Sequence, residues 1–97
     1  MNMVMIVYDA GSDEAVRETL EGCDTQGFTL WQRVLGRAQR SDPRMDDAVW
    51  PGYNNVLMVA VESGPGLERV LVALSERHAQ MGGKGLKVFT WPLEAVV

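Results

Sequence analysis

The sequence predicts an α+β fold whose elements follow in the order βαββαβ, and three observations support this prediction. Four short apolar runs have the composition of strands, two longer segments carry apolar residues at helical spacing, and a long polar segment separates the second run from the third. The chain has 97 residues with 46% hydrophobic content, enough to build one small core. We therefore expect a single undivided domain over residues 1–97.

The first strand and the first helix are predicted from the N-terminal quarter of the chain. Met3–Tyr8 is a continuous apolar run with β-branched members, which is typical of a central strand. Ser12 or Asp13 can cap the helix that follows. Its apolar face comprises Val16, Leu20 and Cys23. We expect Cys23 to be a buried thiol, because the chain has no second cysteine for a disulfide or a metal pair.

The rest of the chain predicts two strands, a second helix and a final strand. The strands are expected at residues 28–38, 55–61 and 86–91. The second helix is expected to begin at Gly64-Pro65-Gly66 and to end at Gly82-Gly83. Its apolar face comprises Leu67, Val70, Leu71, Leu74, His78 and Met81. This order is the ferredoxin-like split βαβ arrangement, with an antiparallel four-stranded sheet and both helices on one face.

Charge and composition exclude several classes of partner. The formal net charge is −4 and no basic stripe with interleaved aromatics is present, so neither nucleic acid nor an anionic membrane is an expected partner. Met1–Tyr8 lacks a positive leader and is too short for a signal peptide or a membrane span, so we expect a cytoplasmic protein. Three Trp and six Met residues exceed what one small core needs, which favours self-association.

The polar segment at residues 39–52 is the best clue to function, because it is far longer than a hairpin needs. Such connections in compact domains are usually binding or switching loops. Trp50-Pro51-Gly52 at its exit combines an aromatic anchor, a fixed φ and a flexible residue. Its aspartates could ligate a hard cation, but the interleaved arginines favour a self-neutralised, solvated loop.

A second informative segment, residues 81–88, lies between the second helix and the last strand. It contains both lysines of the chain, Lys84 and Lys87, among three glycines. Glycine lets backbone N–H groups approach an anion, and a lysine ammonium can meet phosphate oxygens as a point charge. The alternative interpretation is structural, since glycines end helices and a helix C-terminus favours cations.

The order of elements together with these two loops resembles the PII-like signalling proteins over nearly the whole chain. Gly27-Phe28-Thr29 is similar to the family's Gly-x-Thr strand, and Val34-Leu35-Gly36 leads into a segment that resembles its long T-loop. Residues 55–61 resemble the returning strand. Gly83–Phe89 is similar to the family's Gly-Asp-Gly-Lys-Ile-Phe loop, with one residue added. The chain looks like a small, divergent member of that family.

The resemblance implies a homotrimer in which three subunits close their sheets together and bind ligands in the clefts between neighbours. One wall of each cleft would contain Gly36, Arg37 and Gln39, and the other would contain Gly83, Lys84, Gly85 and Lys87. The T-loop would contact a target protein, such as a membrane transporter or an enzyme. The loop residues available for that contact are Arg40, Asp42, Arg44, Asp46, Asp47 and Trp50.

Departures from the family pattern narrow the expected effector. Gly36-Arg37-Ala38-Gln39-Arg40 lacks the second glycine of the family's loop base, so binding of magnesium and 2-oxoglutarate is not implied. No tyrosine lies between Gln39 and Trp50, so uridylylation of the loop is not implied either. Lys84 replaces the family's aspartate and makes the loop more cationic. The expected effector is a small anion: an adenine nucleotide, a cyclic nucleotide or bicarbonate, with no fixed cofactor.

Two other functions remain open at this point. A CutA-like trimeric protein that binds divalent metals shares this fold and aromatic-rich interfaces, although near the long polar loop only Met45 and the lone His78 are the types that a copper site would use. A small cofactor-free oxygenase of ferredoxin-like fold is the third possibility, since such sites can be mostly apolar. Catalysis is not expected, because the sequence offers no arrangement of nucleophile and base.

Overall fold

The structure is a computed structural model and describes residues 1–23, 25, 27–35 and 53–97. Its elements follow the predicted order. They are β1 (Asn2–Asp9), a single 3-10 turn (Ala10–Ser12), α1 (Asp13–Gly22), β2 (Thr29–Val34), β3 (Asn54–Val61), α2 (Pro65–Gln80) and β4 (Leu86–Pro92). The polar segment 39–52, with the loop residues expected to contact a target protein, lies outside the described residues.

The four strands form one antiparallel sheet in the order β2-β3-β1-β4. β1 is central: Ile6 pairs with Leu57 of β3 on one side and with Val88 of β4 on the other. The two edge strands, β2 and β4, are therefore separated by β3 and β1. The predicted ferredoxin-like α+β arrangement is confirmed.

Both helices pack on the same face of the sheet. Side chains along a strand alternate between the two faces, so every second residue of a strand lies under the helices. Val4, Ile6 and Tyr8 of β1 are at most 1% exposed and point under the helices. The remaining buried members of this core are Val16, Leu20, Leu57, Val59, Val61, Val70, Leu74 and Leu86. The apolar stripes predicted for the two helices thus supply the second layer of the core.

The other face of the sheet carries apolar side chains that neither α1 nor α2 covers. We call this surface the open face. In its register, Met5 lies between Met58 and Phe89, and Met3 lies between Ala60 and Trp91. Trp31 and Trp91 are 48% and 39% exposed. A single chain therefore leaves a broad apolar and aromatic sheet surface in water, which is typical of a surface that another protein covers.

Three expectations change in detail. β2 is shorter than predicted: it ends at Val34 instead of Ala38, and Ala38 lies outside the described residues. His78 is exposed instead of packed, because it lies in the last turn of α2, beyond the buried residues Val70 and Leu74. Cys23 is half-buried, because α1 ends at Gly22 and leaves the thiol at the margin of the core.

Neither helix within the described ranges is long and apolar enough to cross a membrane.

Truncation of the central core should destabilise the protein strongly. Leu57→Ala removes a side chain that is fully buried between β1 and β2, so we expect the free energy of unfolding to fall by about 2 to 5 kcal/mol. Urea unfolding at one fixed protein concentration measures this change. Val72→Ala, at a position 58% exposed on α2, is the control and should change stability by less than about 0.5 kcal/mol. Equal effects of the two substitutions would contradict this core.

Candidate functional site

One end of the sheet gathers several of the segments that the sequence singled out. The Asp9 N–H donates to the Gly85 carbonyl at 2.9 Å, which ties the end of β1 to the glycine and lysine loop. The Ala10 N–H donates to the Tyr53 carbonyl at 3.1 Å, which brings in the residue that precedes β3. The last described residues of β2 lie at the same end, since Val34 pairs with Asn54.

The loop between α2 and β4 depends on glycine for its conformation. Gly82, Gly83 and Gly85 have φ values of 75°, 77° and 75°, in the left-handed region that side chains rarely adopt. The N–H groups of Gly82 and Gly83 donate back to the carbonyls of the last helical turn, as at many helix C-termini. These hydrogen bonds support the structural interpretation of the two glycines, namely that they end the helix. Lys84 lies four positions beyond Gln80, the last residue of α2, and Lys87 lies in β4.

Lys84 and Lys87 are both exposed. Lys84 stands between two left-handed glycines, at the tip of the loop. Lys87 lies on the open face, in a row that runs across the sheet through Val7 and Val56 to Trp31. The loop thus presents two ammonium groups at one edge of the sheet, next to apolar and aromatic surface.

The lysine loop and the end of β2, which leads toward the other expected wall, lie at opposite edges of the sheet. Lys87 is on β4 and Trp31 is on β2, at opposite edges of the sheet, and three strand spacings of about 4.8 Å place these edges roughly 14 Å apart. Gly36, Arg37 and Gln39, the residues of the other expected wall, lie outside the described residues. The members of the lysine wall, Gly83, Lys84, Gly85 and Lys87, lie together.

A polar cluster that the sequence analysis missed lies under the helices at this same end. We call it the Asp13 cluster, and it consists of Tyr8, Asp13, Arg17 and Asn55. Asp13 Oδ1 accepts from the Tyr8 hydroxyl at 2.5 Å and from Asn55 Nδ2 at 3.2 Å. Arg17 Nε lies 3.0 Å from Asp13 Oδ2, but its N–H does not point along this contact, so the contact is an ion pair and not a hydrogen bond. The cluster joins β1, β3 and the first turn of α1.

The cluster shifts two pKa values in opposite directions. Burial, helped by the hydrogen bond to Asp13, raises the pKa of Tyr8 well above its usual value. Burial by itself would raise the pKa of Asp13 as well. The hydrogen bonds from Tyr8 and Asn55, together with the charge of Arg17, outweigh burial and lower it. Asp13 is therefore a carboxylate and Tyr8 a neutral phenol at neutral pH.

Arg33 connects the Asp13 cluster to the end of β2. Two residues of β2, Gln32 and Arg33, lie opposite the single residue Asn55, because the register shifts between the Trp31 and Val34 pairs. Arg33 has a φ of 59°, a conformation that costs a non-glycine residue about 1 to 2 kcal/mol. Its N–H donates to Asn55 Oδ1 at 3.1 Å. Its guanidinium lies 4.8 Å from the centre of the Tyr53 ring, within the range of a cation–π contact.

A sequence signal for this cluster did exist. Residues 55, 57, 59 and 61 all point inward from β3, and Asn55 is the one polar member of that set. A polar side chain at an inward position must find a hydrogen-bond partner, so the alternation alone marks Asn55 as unusual. The identity of its partners, 42 positions earlier and 22 positions earlier in the chain, could not be read from the pattern.

The described residues contain no arrangement suited to a metal ion, and their two clefts are shallow. They contain no group of three or more His, Cys, Asp or Glu side chains placed to hold a metal ion. Two shallow clefts, of about 350 and 410 Å³, both include Cys23 and Arg69 in their walls. Neither wall includes a residue of the glycine and lysine loop.

Several solved structures with a similar fold are PII-like proteins. A protein described as a PII-like signalling protein from Thermus thermophilus is 19% identical, with a TM-score of 0.67 over 93% of this chain and 83% of its own. CPII from Thiomonas intermedia, solved with ADP and bicarbonate, is 12% identical, with a TM-score of 0.69 over 93% and 82%. CPII solved with ADP, AMP and bicarbonate is 14% identical, with a TM-score of 0.66 over 93% of this chain and 82% of its own.

No protein-family model and no curated protein matches the sequence. At 12 to 19% identity, the structural likeness shows the fold. The resemblance to PII-like proteins that the sequence suggested is confirmed at that level. It covers 93% of the chain.

The Asp13 cluster predicts a specific dependence of stability on pH. The folded pKa of Asp13 is lowered relative to an unfolded value near 3.9, so its contribution is present above that value and is lost as pH falls through the folded pKa. We expect Asp13→Asn to lower the free energy of unfolding by about 1 to 2 kcal/mol at pH 7. The difference from wild type should shrink as pH falls below about 4. Urea unfolding at a series of pH values measures it.

Glu14→Gln is the matched control for this prediction. It removes the same charge from the same helical turn, at an exposed position that does not contact Tyr8 or Asn55. Its effect should stay within about 0.5 kcal/mol. A pH-independent deficit in the Asp13 variant, or an equal deficit in the Glu14 variant, would rule out the assigned role of Asp13.

Proposed function

We propose that this protein is a PII-like regulatory protein that binds a small anionic effector between subunits and signals through its T-loop to a target protein. The single observation that carries the proposal is the glycine loop that presents Lys84 and Lys87 together at one end of a PII-like fold. The effector is an adenine nucleotide, bicarbonate, or both. The protein acts by changing which conformation a partner recognises, and not by catalysis.

The effector is assigned from the chemistry of the lysine loop. The chain has only two lysines, and both lie within four positions of one another on a protein of net charge −4. Two exposed ammonium groups among glycines suit phosphate or bicarbonate oxygens, and the nearby apolar face suits a flat base. CPII, which has the same fold, was solved with ADP, AMP and bicarbonate, which supports this choice of ligands.

The cleft is proposed to form between subunits of a homotrimer, for two reasons. Lys87 and the end of β2 lie at opposite edges of one sheet, so a site that uses both needs a neighbouring copy. The open face also leaves Met3, Met5, Met58, Phe89 and Trp91 without cover from either helix. Packing of this face against other copies removes it from water and brings each lysine loop toward a neighbour.

The T-loop is proposed to be the output. Gly36, Arg37 and Gln39 would meet the effector from the loop base, and Trp50 would anchor the exit. The contacts to a transporter or an enzyme would come from Arg40, Asp42, Arg44, Asp46, Asp47 and Trp50. Ligand binding at the base would then favour one loop conformation that the target recognises.

Reversal of the lysine charges should abolish effector binding. We expect Lys84→Glu and Lys87→Glu each to weaken the affinity for ADP or bicarbonate at least about tenfold, because each replaces attraction by repulsion at the anion. Isothermal calorimetry on the purified protein measures the affinity, and a thermal-shift series confirms that the ligand stabilises the folded state.

Arg69→Glu is the matched control, since it makes the same change in net charge. Arg69 lies early in α2, and eleven residues of helix separate it from Gln80 by about 16 Å. Its effect on affinity should be less than about twofold. Unchanged affinity in both lysine variants would reject this site, and stabilisation by divalent metals alone would favour the CutA-like function instead.

A charge on the open face should break the assembly. Met5 lies in the centre of that face, between Met58 and Phe89, so Met5→Glu should convert the oligomer to monomers by placing a carboxylate in an apolar interface. Sedimentation or light scattering measures the mass. Val72→Glu, on the exposed side of α2, should leave the mass unchanged. A wild-type protein that is monomeric at all concentrations would refute the proposed intersubunit cleft.

A further inference from the structure

The end of β2 contains a strained residue, Arg33, whose backbone N–H donates a hydrogen bond to a buried side chain. At the bulge opposite Asn55, the ladder cannot pair both Gln32 and Arg33 with β3. The Arg33 N–H is instead hydrogen-bonded to Asn55 Oδ1 at 3.1 Å. Left-handed residues are most often glycine, whereas this chain uses arginine at φ 59°. A specific contact therefore has to hold that conformation.

The Asn55 side chain is suited to hold Arg33 in this conformation because both polar atoms of its amide are hydrogen-bonded. Asn55 is 4% exposed, and its Nδ2 donates to Asp13 Oδ1 while its Oδ1 accepts from Arg33. The same Asp13 oxygen also accepts from the Tyr8 hydroxyl, which is fixed in the core at 1% exposure. The acceptor for Arg33 is thus oriented by contacts to β1 and α1 and cannot rotate without breaking a buried hydrogen bond.

We propose that Asn55 is a positioning residue that sets where β2 leaves the sheet. Asn55 holds Arg33 in the left-handed conformation, and Asp13 holds Asn55, so the exit of the strand at Arg33–Leu35 is fixed relative to the first turn of α1. This exit leads directly to Gly36, the first residue of the proposed loop base. The consequence for ligand binding rests on the proposed function; the positioning of the strand end does not.

Amide hydrogen exchange on the full-length protein tests the positioning role. The measured quantity is the exchange rate of the β2 peptide, residues 29–35, divided by that of the β1 peptide, residues 2–9, in the same sample. Division by the central strand removes changes that come from global unfolding. In Asn55→Leu, which keeps the size of the side chain but removes both hydrogen bonds, we expect this ratio to rise about tenfold.

Two further variants separate local from general effects. Thr19→Val also removes two side-chain hydrogen bonds, to the Ala15 carbonyl and from Arg77 Nε, but far from β2, so its ratio should equal that of wild type. Asp13→Ala removes the acceptor of Asn55 Nδ2 but leaves Asn55 Oδ1 for the Arg33 N–H, so its ratio should also rise, by less than in Asn55→Leu. Equal ratios in Asn55→Leu and Thr19→Val would overturn the proposal, as would a wild-type ratio in Asp13→Ala.

Calorimetry with ADP and with bicarbonate tests the link to the site. We expect Asn55→Leu to bind several-fold more weakly than wild type, while Thr19→Val binds as wild type does. Unchanged affinity in Asn55→Leu would overturn that link. Absence of binding in wild type would reject the proposed function, and the exchange ratios would still decide the role of Asn55.

Discussion

The alternation of side chains along β1 is the constraint on which the rest of the structure depends. β1 is paired on both sides, so its even-numbered residues must form the floor of the core and its odd-numbered residues must face away from the helices. Val4 and Ile6 are fully buried on one side, while Met3 and Met5 are only half-buried on the other. A shift of one residue in this strand would exchange the two faces and expose the core.

The same alternation explains why both surfaces of the sheet are apolar but only one is covered. A layer of two helices protects one face of the sheet, and the part of the chain that the structure describes supplies no third layer. The open face keeps methionines on β1 and β3 and aromatic residues on the edge strands. Flexible methionines at the centre and large aromatics at the margin suit a surface that packs against another copy.

At the end of the sheet, polar side chains are held by hydrogen bonds to one another, whereas the core is held by apolar packing. Tyr8 occupies the last inward position of β1 and brings a hydroxyl into the core, and Asn55 lies directly opposite it on β3. Asp13 satisfies both, and it does so as a carboxylate because Arg17 and two hydrogen bonds favour the charged form. The bulge at Arg33 is a consequence of this arrangement, since Asn55 offers its second polar atom to the backbone of β2. The core and the exit of the strand are therefore connected by three side chains.

Local sequence was enough to predict the order of elements, the central position of β1, and the glycines of the loop before β4. These features depend on short-range periodicity and on backbone conformations that only glycine adopts readily, so neighbours along the chain contain the information. The sequence also identified Lys84 and Lys87 as a cationic pair. The likeness to PII-like proteins followed from that order of elements and those loops.

In contrast, Tyr8, Asp13, Asn55 and Arg33 come from four elements that no local pattern relates, so their contacts emerged only from the folded chain. The separation of the lysine loop from the end of β2, at opposite edges of one sheet, likewise depends on pairing between distant segments. The bulge in β2 was missed for the same reason, because a bulge depends on the residue across the ladder, here Asn55.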